Sequence, residues 1–207
     1  MARLLLKLIT KNTMDIQQLL GGNLGQQATQ LISNQLGIDA NQAQNAVNLA
    51  LPTILSALNR NASTQTGADA LTNAIANNHS GGGLSDLSTL AQTALGGDGA
   101  AILQHIFGGA EQNISNAVSQ NAGISGVQSS QVMQILAPIV LNALGNQSQS
   151  SAGGINVGSI TSILSNFVGN HQQQAPQHQD IISQLIDRNG DGNVADDVVG
   201  LLKGLFK

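Results

Sequence analysis

A run of short oxygen-bearing side chains near the C-terminus has the spacing of a calcium-binding loop. Asp187, Asn189 and Asp191 occupy its first, third and fifth positions. Gly192 stands at the sixth position, where a sharp turn brings the next carbonyl toward the ion, and the aliphatic Val194 stands at the eighth. Calcium takes about six to eight oxygen ligands, and alternating carboxylate and amide groups can converge on one ion. The pattern therefore predicts an EF-hand-like Ca²⁺ site.

The end of this loop departs from the EF-hand pattern. Its twelfth position, normally a bidentate glutamate, is Val198, and carboxylates stand one and two places earlier at Asp197 and Asp196. Either aspartate can complete the shell if the exiting helix starts early, so we expect a weak dissociation constant of roughly 10⁻⁵ to 10⁻³ M. The alternative is a polar turn without metal, since Asn, Asp and Gly favour tight turns. The predicted ligand set is Asp187, Asn189, Asp191, Asn193, Asp196 and Asp197.

Apolar residues on both sides of the loop predict a helix-loop-helix hand over residues 180–207. The entering helix carries Ile182 and Leu185, and the exiting helix carries Leu202. Residues 170–179 are polar, contain a proline and lack periodicity, which predicts a flexible linker. Because a single hand leaves apolar faces exposed, we expect it to dock on the preceding helices or on another molecule.

The preceding residues, 18–169, predict an all-α multihelical bundle. Apolar residues recur there at three- and four-residue spacing, and strand signals are nearly absent. A first helix is predicted to end at Gly37, and Asp39 is predicted to cap a longer second helix. Weaker helical patterns follow at residues 66–78 and 84–95.

The same region contains an internal duplication, with repeats at about residues 18–95 and 105–169. From Gly37 onward the offset is 86 residues (123 − 37 = 138 − 52 = 86), and the stretch that begins at Leu19 matches the one at Ile106 after a one-residue gap. The aligned pairs include Gly37 with Gly123, Pro52 with Pro138, Ile54 with Val140 and Leu58 with Leu144. Each proline lies in an apolar helical run, which predicts a bent central helix rather than a ligand pocket, because no ionisable residue stands beside it. We expect the two units to pack about a pseudo-twofold axis.

The composition favours association and argues against several classes of partner. Hydrophobic residues make up 41% and charged residues only 9%, with Gln and Asn replacing the usual charges, so little repulsion keeps copies apart. Between Lys11 and Arg188 the only basic residue is Arg60, which excludes the basic cluster of a nucleic-acid or anionic-membrane binder. There is no cysteine, and hence no disulfide or zinc-thiolate site.

The N-terminus carries no convincing signal peptide. Its apolar run is short and broken by Lys7, and no small-residue cleavage site follows. Residues 1–17 are predicted to be an extension or a short helix, with Met1 and Met14 as candidate starts. No run approaches the roughly 20 apolar residues of a membrane span, so we expect a soluble chain. Weak calcium affinity would place it outside the cell or in the envelope, and tight affinity in the cytoplasm.

The chain has too few suitably placed catalytic groups for an enzyme. The body has one glutamate, Glu111, its histidines are scattered, and no acidic pair stands at helical contact spacing. The glycine pairs at Gly21 and Gly108 lack the following lysine of a phosphate loop. A hydrolase that uses the calcium site would lack a general base beside it. We therefore predict a non-enzymatic protein.

The assembled features resemble a known family. The Leu-Leu-Gly-Gly opening before the first helix, the Gly37-Ile38 turn, the "ALPTILSALNRN" helix and the "DRNGDGNVADDVVGLL" tail are similar to the bacterial DUF937 proteins, also called YidB-like. The resemblance covers residues 14–207, and residues 1–13 depart from it. It implies a small multihelical fold without an assigned activity, and tails with a similar Asp-Asp pair support Asp196 and Asp197 as loop members.

Two functions remain open from the sequence. The first is a calcium-binding structural protein that self-associates as a homo-oligomer or filament, including extracellular or envelope assemblies. The alternative is a monomeric helical module that binds an apolar small molecule or a partner protein, with calcium as a structural staple. A change of molar mass with calcium distinguishes the two.

Overall fold

The computed structural model describes residues 22–78, 87–150 and 154–174, and it confirms the predicted all-α class, with no strand in these ranges. A π-helical turn at Ala94–Asp98 and a 3₁₀ turn at Gly108–Ala110 flank the fifth helix. The N-terminal segment 1–17 and the hand at 180–207 lie outside the described residues. The helices are α1 (Asn23–Leu36), α2 (Ala40–Ala62), α3 (Gln65–Asn78), α4 (Leu87–Thr93), α5 (Gly99–Phe107), α6 (Glu111–Ala122), α7 (Gly126–Gln149) and α8 (Val157–Gln174).

Glycine and capping side chains set the boundary between α1 and α2. Gly37 is left-handed, with φ +62°, and its N–H donates to the carbonyl oxygen of Ser33, which ends α1 as predicted. The Asp39 carboxylate accepts the Asn41 N–H at 2.8 Å, and the Asp39 N–H donates to the Gln42 side chain at 3.3 Å. This reciprocal capping satisfies amide groups that the first turn of α2 leaves unpaired.

The boundary between α6 and α7 is built in the same way. Gly123 has φ +70° and donates its N–H to the carbonyl oxygen of Ser119. Ser125 then caps α7, since its hydroxyl accepts the Gln128 N–H at 3.2 Å and its own N–H donates to the Gln128 side chain at 2.9 Å. Two similar turns therefore introduce the two longest helices of the described body.

The long helices α2 and α7 pack against each other at the centre of the core. Both continue through their prolines, Pro52 and Pro138, which are buried. Along α7, residues 135–145 are buried without interruption, whereas the matching stretch of α2, residues 49–59, is partly exposed at Leu49, Ser56 and Asn59. The largest side chains that are fully buried in the described body are aliphatic, as the composition requires: Ile32, Ile54, Leu55, Leu58, Ile75, Leu103, Ile114, Met133, Ile135, Leu136, Ile139 and Leu144.

The segment from α4 to α5 covers α7 and differs from the sequence expectation. The sequence predicts no helix over residues 96–104, because Gly96 and Gly97 indicate a break between helices. In the structure the chain turns at Gly97, with φ +128°, and resumes as α5. Burial of Leu103, Ile106 and Phe107 stabilises this helix in spite of the glycines before it.

The outer helices complete the bundle around α2 and α7. α1, α6, α3 and α8 each contact both long helices. α8 is held through Ile160, Leu164 and Phe167, all buried. It runs to Gln174 and so includes residues 170–174 of the segment predicted as a linker, since glutamine is a favourable helix former. Residues 175–179 lie outside the described residues.

Within the three described ranges, no individual helix is long and apolar enough to cross a bilayer. Only the pair Leu87–Ala122 and Gly126–Gln149 reaches the threshold by length and composition, and its two members meet at 107°.

Candidate metal centre and the polar contacts of the helical body

The predicted metal centre follows the last described helix. Its first ligand, Asp187, comes thirteen positions after the end of α8 at Gln174 (187 − 174 = 13). The tether begins on a helix that is packed into the core, and Ser165 of that helix donates to Asn59 Oδ1 of α2 at 3.5 Å. All six predicted ligands lie outside the described residues: Asp187, Asn189, Asp191, Asn193, Asp196 and Asp197.

The carboxylates of the described body are dispersed. No group of three or more His, Cys, Asp or Glu within residues 22–78, 87–150 and 154–174 could hold a metal ion. Asp39 caps α2, Asp69 accepts the Gln65 amide at 3.0 and 3.2 Å, and Glu111 lies in the first turn of α6. Carboxylates near helix starts stabilise the positive end of the helix dipole. The carboxylates Asp39 and Glu111 therefore act on their own helices.

Buried hydroxyl groups of the second half hold helices together. Ser129 donates to the backbone oxygen of Ser115 at 2.8 Å, and the Ser115 hydroxyl lies 2.8 Å from that of Ser130. Ser148 and Ser159 hydrogen-bond to each other and to the carbonyl oxygen of Gly154. Each of the buried hydroxyls of Ser115, Ser129 and Ser148 is thus satisfied by a backbone carbonyl or another hydroxyl, which is the requirement for burial in an aliphatic core.

Two side-chain amides tie the halves of the body together, and the sequence gives little sign of them. Gln42 Nε2 donates to the carbonyl oxygen of Gly123 at 2.6 Å, and Asn61 Nδ2 donates to that of Ile106 at 3.0 Å. Both acceptors lie near helix C-termini, where carbonyl groups lack helical partners. The position near a helix C-terminus identifies the two acceptors. Nothing in the sequence distinguishes the donors, Gln42 and Asn61, from its many other amide side chains.

Comparison with known proteins places the chain in a family. Residues 18–147, more than half of the 207-residue chain, match the family described as bacterial protein of unknown function (DUF937). The chain belongs to the DUF937 family. The family resemblance expected from the sequence is thereby confirmed, and the matched stretch of this DUF937 protein ends inside α7. Neither the curated proteins nor the solved structures gave a match.

Proposed function

We propose that this DUF937 protein is a non-enzymatic, calcium-binding structural protein that self-associates. The observation that carries the proposal is the spacing of Asp187, Asn189 and Asp191 before Gly192. The ion would also take the Asn193 carbonyl oxygen at the seventh position. The remaining oxygen ligand would come from Asp196 or Asp197.

The helical body that carries this hand consists, in our proposal, of two duplicated units. Support comes from contacts that repeat at the offset of 86 residues. Thr29 of α1 donates to Gln44 of α2 at 3.4 Å, and at the matching positions Ser115 of α6 lies 2.8 Å from Ser130 of α7. The matched left-handed glycines and reciprocal caps agree with this pairing. Two units whose long helices pack together form the pseudo-twofold body.

Self-association is assigned to the hand rather than to the body. Among the described residues, Val127 is the one large hydrophobic side chain that is exposed, at 71%. The described surface therefore offers little apolar area for a stable interface between copies. The hand at 180–207 carries apolar residues on both predicted helices. Calcium would order this hand and let it dock on a neighbouring copy, which couples assembly to calcium concentration.

Light scattering across a calcium titration tests this function. We expect the molar mass to rise with calcium and not with magnesium. The rise should be absent in an Asp187→Ala, Asp191→Ala variant, which lacks two ligands. The matched control is Asp69→Ala, Asp98→Ala, because it removes the same charge from exposed positions of the body.

Calorimetry on the same samples separates metal binding from assembly. Calcium binding with an unchanged molar mass would overturn self-association and favour the monomeric helical module, in which calcium is a staple. An absence of calcium binding, or equal binding by the Asp187→Ala, Asp191→Ala variant, would overturn the metal site itself.

A further inference from the structure

α5 approaches α7 more closely than a side chain at the contact would allow. A Cβ atom at Gly99 would lie 2.4 Å from the backbone oxygen of Gln134. Positions three or four residues apart share a helix face, so Gln131, Ile135 and Pro138 lie on the same side of α7 as Gln134. α4 and α5 both pack against α7, and Ile135 is 0% exposed. This side of α7 is therefore covered by the segment that precedes the second unit.

The matching positions of α2 carry similar side chains. At the offset of 86 residues four of the five pairs match an amide with an amide, an aliphatic side chain with an aliphatic one, or proline with proline, and the fifth matches a hydroxyl with an amide. The pairs are Asn45 with Gln131, Asn48 with Gln134, Leu49 with Ile135, Pro52 with Pro138, and Ser56 with Asn142. We call Asn45, Asn48, Leu49, Pro52 and Ser56 the α2 face.

The α2 face is less covered than its counterpart. Asn48 is exposed while its counterpart Gln134 is partly exposed, and Leu49 is partly exposed while Ile135 is fully buried. Ser56 is likewise partly exposed, while Asn142 is only 2% exposed. The α2 face therefore carries side chains similar to those that α5 covers on α7, but on α2 more of them are exposed to solvent.

The chain before α1 has a sequence suited to this face. Residues 14–22, Met-Asp-Ile-Gln-Gln-Leu-Leu-Gly-Gly, align at an offset of 87 with residues 101–109, Ala-Ile-Leu-Gln-His-Ile-Phe-Gly-Gly. The first stretch ends directly before α1, and the second ends one residue short of α6. The buried side chains of α5 are matched by apolar ones: Leu103 by Ile16, Ile106 by Leu19, and Phe107 by Leu20.

The alignment also shows where the two contacts must differ. Asn12 stands at the position of Gly99 (99 − 87 = 12), and an asparagine side chain does not fit the close backbone approach seen at that glycine. The matched segment therefore begins near residue 14.

We propose that residues 14–20 dock as a short helix on the α2 face of their own chain, as α5 docks on α7. Ile16, Leu19 and Leu20 then cover Leu49, and the amides at Asn45 and Asn48 flank the contact. This inference rests on the duplicated body of the proposed function and does not depend on the calcium site.

Paramagnetic relaxation tests the docking, since a cysteine introduced into this cysteine-free chain is unique. Because the start of α1 lies beside α2, a nitroxide at Asn48→Cys broadens the amide signals of residues 14–20 to some extent through the tether alone. Docking should broaden them more strongly than in the Ile16→Ser, Leu20→Ser variant. The positive control is a nitroxide at Gln134→Cys, which should strongly broaden the amide signals of residues 99–107. Measurement without calcium, in the Asp187→Ala, Asp191→Ala background, separates this result from any behaviour of the hand.

Matched substitutions in the segment identify the docking side chains. Ile16→Ser, Leu20→Ser should lower the paramagnetic relaxation of residues 14–20 to that of an undocked segment tethered to α1. Gln17→Ser, Gln18→Ser should leave this relaxation unchanged, because the counterparts Gln104 and His105 are exposed on α5.

Two outcomes overturn the proposal. One is relaxation at residues 14–20 with the Asn48 label that is no stronger than in the Ile16→Ser, Leu20→Ser variant while the Gln134 control is quenched. The other is quenching that arises only between molecules. It is measured by mixing isotope-labelled protein that lacks the nitroxide with spin-labelled copies, and it would mean that the segment docks on a neighbouring molecule. Quenching within one chain that weakens in the Ile16→Ser, Leu20→Ser variant supports the proposal.

Discussion

α2 and α7 are introduced by similar caps and contain proline at matching positions, yet they lie in different surroundings. α7 is buried from residue 135 to 145, whereas the matching stretch of α2 is partly exposed at Leu49, Ser56 and Asn59. The physical difference is the segment from α4 to α5, which packs mainly on α7, while α5 makes a smaller contact with α2. Two helices with similar local signals therefore reach different degrees of burial because of what packs on them. The comparison is tested most directly by substituting matched positions.

The largest effect is expected at matched core leucines. Leu58 is 2% exposed and Leu144 is 0% exposed. Replacing either with alanine leaves a cavity in the aliphatic core, so each change should lower the free energy of unfolding by about 3 kcal/mol. Urea denaturation measures both values. If one substitution is nearly neutral and the other severe, the two long helices do not have equivalent places in the core.

A smaller effect is expected where α5 meets α7. Gly99→Ala places a Cβ 2.4 Å from a backbone oxygen, and the helices must separate to admit it. We expect a loss of about 2 kcal/mol in unfolding free energy. Gly96→Ala is the matched control, since a Cβ there meets nothing within 4 Å. Equal effects of the two substitutions would show that close packing of α5 on α7 contributes little.

The smallest effect is expected at the two capping glutamines. Gln42→Glu replaces the donor to the Gly123 carbonyl with an acceptor, which should cost about 1 kcal/mol. Gln128→Glu keeps the reciprocal cap with Ser125 and places negative charge near a helix start, so it should be neutral or slightly stabilising. Thermal unfolding of both variants gives the comparison. A reversed order would mean that the tie from Gln42 to the second half is dispensable.

Local signals predicted much of the described fold. The all-α class, the stop at Gly37 and the cap at Asp39 are confirmed, because each depends on residues adjacent in the chain. The sequence does not predict α5, because the glycines before it indicate a break between helices. Burial against α7 stabilises this helix. The EF-hand-like ligand set is predicted from the spacing of residues that are close in sequence. It remains a prediction because these ligands lie outside the described residues.

Local sequence accounts for the helical class, for the boundaries set by glycine and capping side chains, and for an aliphatic core with few charges. These properties arise from interactions within a few residues or from composition. Packing between distant parts of the chain buries residues 135–145 of α7, leaves the α2 face more exposed, and brings Gln42 to the carbonyl of Gly123. Those contacts join residues far apart in the chain. Their free energy depends on how the helices pack together, which local sequence does not encode.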